Sequence, residues 1–295
     1  DTFNNNSGLK PYRLWGRYVG KRYEIRVGLQ KINFGSATLL RPLQWFDQID
    51  PRDPLRFTNG VYGALGRYYF QNNANIWIWG LYGNDETRGF EAFPTHKETP
   101  ELGGRVQYPV AKGEIALSGH YRKADLSMLS SIFPTEWTTP EYKIGLDGKW
   151  DVGVGLWFEA THTYKDELLN LGTHQSLFTL GTDYTFGIGN GVNLIGEHML
   201  MANDKYAFNF EGIANITALM ASYPLGFFDN LSLMGYYAWE SEGFAAFLNY
   251  QHSFKHFTTY VIAFYTSGIT QSAVEGNIAN SYSGPGIQLM LVYNH

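Results

Sequence analysis

Eight histidines are the first candidates for chemistry in this 295-residue chain: His96, His120, His162, His174, His198, His252, His256 and His295. Hydrolysis would need one of them beside an activated Ser, or paired with Asp as a base. No Gly-x-Ser-x-Gly elbow is present, and no His falls into a nucleophile or metal motif. The chain has no Cys, which excludes thiolate ligands, Cys nucleophiles and disulfides. Asp47, Asp50 and Asp53 are close enough to hold a Ca²⁺ ion. The interleaved Arg41, Arg52 and Arg56 favour ion pairing instead. The expectation is therefore a non-enzyme with no metal and no cofactor.

The remaining charges follow a pattern. Arg13, Arg17, Arg26, Arg105, Glu114, Arg122, Glu159, Asp183 and Glu197 all fall on the polar face of alternating segments. From 152 to 164, Val152, Val154, Leu156, Phe158, Ala160 and Tyr164 alternate with Gly153, Gly155, Trp157, Glu159, Thr161 and Thr163. The same period of two recurs in segments of about ten residues, which is the strand signature. A strand of nine to twelve residues, tilted, crosses a bilayer. Sandwich strands average about half that length. Aromatics cluster at the ends of the apolar faces: Tyr18, Tyr23, Tyr108, Trp150, Phe186, Tyr223, Tyr250 and Tyr293. That is the distribution of an interfacial girdle.

These elements define the fold class expected: an all-β, antiparallel, up-and-down transmembrane barrel, one domain over 1–295. Fifteen strands are legible: 11–18, 22–34, 60–70, 75–83, 102–109, 113–123, 141–149, 152–165, 176–186, 191–202, 215–223, 230–239, 243–252, 256–267 and 284–294. Bacterial single-chain barrels carry an even number. Sixteen strands are expected, with the first lost upstream, or fourteen if one hairpin is misread. Short links alternate with long ones, which places the long links outside and His295 in the periplasm. Asp1 opens a polar stretch without a leader, as in a processed or trimmed chain. No apolar run is long enough for a transmembrane helix. The net charge of −5, with scattered Lys and Arg, gives no nucleic-acid footprint.

The longest link, 35–59, carries Leu39, Leu40, Leu43, Trp45, Phe46, Ile49 and Leu55 among the charges Arg41, Asp47, Asp50, Arg52, Asp53 and Arg56. Two readings stand: an inward constriction whose charges set a field across the pore, or an outer loop with its own apolar cluster. The polar-face charges likewise either line a selective pore or pair across neighbouring strands. Arg13, Arg17, Arg26 and Arg105 flank the loop and lean toward anionic or polyhydroxylated solutes.

The run from Arg26 to Gly35, followed by Leu39 to Pro42 and Asp47 to Pro54, resembles porin-type barrels of the bacterial outer membrane, alginate-export-type channels among them. There a strand with Gly-x-Gln and an aromatic-Gly end enters a loop bearing Pro and Asp. Where that family has Arg between Gly and Gln, this chain has Leu29. The resemblance implies a porin-type barrel.

The expected function is passive diffusion of small polar, anionic or sugar-like solutes across a bacterial outer membrane. Lipid and lipopolysaccharide would surround the barrel, with further copies or other envelope proteins as partners. The alternatives are a non-conducting accessory barrel and an apolar-solute transporter, both using the inward Trp15, Trp77, Trp79, Trp157, Met234 and Tyr236.

Overall fold

The computed structural model describes residues 11–129, 138–166, 172–210, 212–267 and 284–294. Fifteen strands follow in chain order: β1 Leu14–Val19, β2 Tyr23–Gln30, β3 Val61–Tyr69, β4 Asn75–Leu81, β5 Glu101–Val110, β6 Gly113–Asp125, β7 Thr138–Asp151, β8 Gly155–Lys165, β9 His174–Phe186, β10 Val192–Asp204, β11 Ala214–Pro224, β12 Asp229–Ala238, β13 Gly243–Ser253, β14 Phe257–Ser267 and β15 Gly284–Tyr293. Each pairs antiparallel with the next in one continuous sheet, with no crossover. This is the up-and-down architecture that the alternation implies. Links at one end of the sheet are short, such as 111–112 and 152–154, and those at the other are longer, such as 31–60 and 82–100.

The burial pattern is inverted relative to a soluble sheet. Ile78, Leu102, Leu117, Ile144, Leu180, Leu219, Ile287 and Leu289 are exposed, while Glu101, Arg122, Glu141 and Glu159 on the opposite face are buried. Apolar residues in a continuous exposed belt suit lipid rather than water. The eight girdle aromatics all lie near the short-link end. A second aromatic row, Tyr121, Tyr142 and Tyr164, spans β6 to β8 near the long-link end with ring centroids 5.1 and 6.3 Å apart.

β1 and β15 run in the same direction, and no ladder joins them among the described residues. The sixteenth strand of the sequence reading has no counterpart among these residues.

Candidate functional site

The long link after β2 turns inward, and two wall carboxylates hold it there. Glu197, inward on β10, accepts hydrogen bonds from the backbone N–H groups of Thr38, Leu39 and Leu40 at 2.7, 3.0 and 2.6 Å, and from Thr38 Oγ1 at 3.1 Å. Trp157 Nε1 donates to the same carboxylate from β8 at 3.1 Å. Glu159, inward on β8, accepts from Ala37 N at 2.8 Å and Leu43 N at 3.0 Å. Buried carboxylates need such charge-assisted donors when no cation is near. Gly35 makes the approach possible. Its φ is +93°, and a Cβ there would lie 2.2 Å from Glu159 Oε1.

Apolar contacts continue the loop across the lumen. Leu39 and Leu40 join a buried cluster with Met199, Ile216, Ala218, Met234, Tyr236, Ala238, Ala245 and Phe247 from β10 to β13. On the other side, Ile32, Phe34, Leu43, Trp45 and Phe46 pack against Val61, Leu65, Trp79 and Leu81 of β3 and β4. Phe34 stacks on Trp79 at 5.7 Å, and Trp45 on His120 at 6.1 Å. His120 is buried, bonded to Trp79 and Glu101, each at 3.2 Å.

A second inward link, 82–100, docks through charge. Arg122 on β6 reaches Glu141 at 2.6 Å and Glu91 at 3.2 Å. Lys143 reaches Glu91 at 2.6 Å, and Arg88 reaches Glu101 at 2.5 Å. In the link, burial alone would raise the Glu91 carboxyl. Arg122, Lys143 and Arg88 outweigh it and hold that carboxyl below its ordinary value. Arg88 is pulled the other way: burial disfavours its charge, but Glu91 and Glu101 hold the guanidinium above its ordinary value.

The sequence-expected loop charges are largely self-paired. Arg41 bonds Asp47 at 2.9 Å and Asn33 at 2.6 Å. Arg52 bonds Asp50 at 2.8 Å. Asp53 accepts from the backbone N–H groups of Leu55 and Phe57, at 2.9 and 3.4 Å. Arg56 is exposed at a left-handed φ of 46°.

The sequence reading assigned nine residues to the pore lining, and the structure divides them. Arg105, Arg122, Glu159 and Glu197 are buried rather than facing open water. Arg105 forks onto Asp147 at 2.6 and 2.8 Å. The physical reason is the same for all four: the inward links cover them, so each must find a partner. Arg17 and Arg26 both pair with Glu24. Arg13 donates to the Thr58 carbonyl at 2.7 Å, Glu114 accepts from Gln107, and Asp183 stands over Gly155. The sequence reading omitted Arg88, Glu91, Glu101 and Glu141. The period of two, extended one residue before 102–109 and applied along 141–149, puts Glu101 and Glu141 on inward faces and is the signal that could have found them.

An open cavity of about 720 Å³ remains beside the loop, lined by Tyr12, Asp50, Asp53, Phe57, Asn59, Gln288 and Met290 among others.

No family model matches the chain, and no curated protein matches it. Among solved structures it is similar to an anion-selective porin from Comamonas acidovorans, with 15% identity and a TM-score of 0.51 over 97% of this chain and 79% of that one. The likeness is one of fold, and with the antiparallel ladder it shows the up-and-down β-barrel architecture that such a porin has.

Proposed function

We propose that the chain is a porin-like channel of a bacterial outer membrane, passing small polar solutes by diffusion along a lane beside the inward loop. The observation that carries this is the grip of Glu159 and Glu197 on residues 37–43. In this reading the grip holds a constriction inside the barrel, and it is supported by the 720 Å³ cavity beside the loop, lined in part by Gln288 and Met290 of β15. The exposed apolar belt takes lipid, lipopolysaccharide or a neighbouring barrel. The reading assigns no catalysis and no cofactor.

The leaning toward anionic or polyhydroxylated solutes rests on Arg13, Arg17, Arg26 and Arg105; Arg13 bonds backbone carbonyls, and Arg17 and Arg26 share Glu24. The neighbouring porin is described as anion-selective, but here Arg105 and Arg122 are consumed in buried pairs. Size and polarity are the solute properties that this lane is read to select.

A second reading, a non-conducting accessory barrel, draws support from the two apolar clusters that the loop completes across the lumen. Planar-bilayer recording separates the two. Stable ohmic conductance that rises in Glu197→Ala supports the channel. A silent bilayer in both wild type and variant supports the accessory barrel.

A further inference from the structure

The lane has a chemical character of its own. Tyr12 and Phe57 meet edge to face at 5.6 Å, yet remain 51% and 57% exposed at the cavity. Both rings present open aromatic surface at the cavity, and each gains free energy when a ligand buries it. The two carboxylates in the cavity lining are each hydrogen-bonded. Asp50 is gripped by Arg52 through Nε and NH2 at 2.8 Å each. Asp53 is bonded by two backbone N–H groups. Arg13 lies over the Tyr12 ring at 4.2 Å and donates to the carbonyls of Tyr12 and Thr58.

Beyond those two carboxylates, the side chains that line the cavity are neutral. The Tyr12 hydroxyl and the Gln288 amide make no hydrogen bond to a described residue. Asn59 donates to Glu86 and Gln48 to the Thr87 carbonyl, so their amide oxygens stay available as acceptors. Rings with neutral donors and acceptors match a solute with apolar C–H faces and many hydroxyls. The cavity volume is in the range of small-ligand pockets.

We propose that this cavity is a binding station for a neutral, polyhydroxylated solute such as a short oligosaccharide. Tyr12 and Phe57 stack against its C–H faces, and Gln48, Asn59 and Gln288 meet its hydroxyls. The proposal rests on the channel reading for its purpose, so binding and passage are measured separately.

The test uses the full chain in detergent micelles, with maltotriose as probe and inorganic phosphate and putrescine as charged counter-probes. Binding is read by saturation-transfer NMR, and passage by swelling of liposomes carrying the protein. Maltotriose is expected to bind in preference to both counter-probes. Tyr12→Ala and Phe57→Ala should each weaken it roughly tenfold, the scale of one aromatic contact. Tyr12→Phe should retain most of the binding, and it replaces the Ala variant if that one fails to fold. Absence of maltotriose binding, preference for phosphate or putrescine, or full binding in both ring variants overturns the station. Binding without liposome swelling upholds the station and overturns passage.

Discussion

Two walls of the same lumen hold the inward links by opposite means. The β5–β7 wall is ionic: Arg122, Glu141, Lys143 and Glu101 meet Arg88 and Glu91 of the second link, with side chains at most 5% exposed. The β10–β13 wall is apolar: Met199, Ile216, Tyr236 and Phe247 receive Leu39 and Leu40. Both walls follow the same alternation, so the strand pattern does not determine the difference. What differs is the link laid against each wall. A charged link needs charges opposite it, because an unpaired buried ion is strongly destabilising. An apolar link needs only shape and area. Glu197 sits at the junction, a charged residue on the apolar wall, satisfied without a cation by three backbone N–H groups, the Thr38 hydroxyl and the Trp157 indole.

The comparison can be broken at its strongest point first. Arg122→Ala strands Glu141 and Glu91 without their main partner and should cost about 3–5 kcal/mol. Thermal melting in detergent and faster proteolysis within 84–100 would report it. Leu40→Ala leaves a void in the apolar wall and should cost about 3 kcal/mol. Its signature is lower melting with the 84–100 link still protected. If both variants release the same link, the two walls are not independent.

Glu197→Ala should destabilise less, by about 2 kcal/mol, because the cost of the unpaired N–H groups is partly offset by removing a buried charge. Its larger effect is functional: higher and noisier conductance in planar bilayers. Unchanged conductance would mean that residues 38–40 do not restrict the lumen.

Acid distinguishes the walls without mutation. The Glu91 carboxyl is held below its ordinary value, so its contribution is fully present above the ordinary carboxylate range. It is lost as pH falls below about 4 toward the lower folded value. Proteolysis within 84–100 should accelerate there, while the Leu39–Leu40 contact persists. At the smallest end, Lys97 and Asp85 form a 2.9 Å pair with both side chains more than half exposed. Lys97→Ala should leave melting unchanged, as exposed pairs contribute little.

Much of this fold was legible in the sequence, because alternation is a property of each segment by itself. All fifteen strands were read within a few residues, and Val152 to Tyr164 alone displays the two faces. The loop 35–59 was singled out by having too many apolar groups for a solvated tip. Its anchors were not legible. Thr38 and Glu197 are 159 residues apart, and a backbone N–H leaves no mark in the residue alphabet. For the same reason Arg105 and Arg122 read as pore-lining. Inwardness is local information, but being covered depends on where a distant link comes to rest.

The tether from Glu197 has one further implication, for what can vary. Three of its four loop donors, and both donors to Glu159, are main-chain groups. The wall therefore recognises a path rather than a spelling. Positions 37, 39, 40 and 43 tolerate exchange among residues of similar bulk without losing the hold. Proline is the exception, since it has no N–H to give. Pro42 occupies a position that donates nothing, next to Leu43, which does.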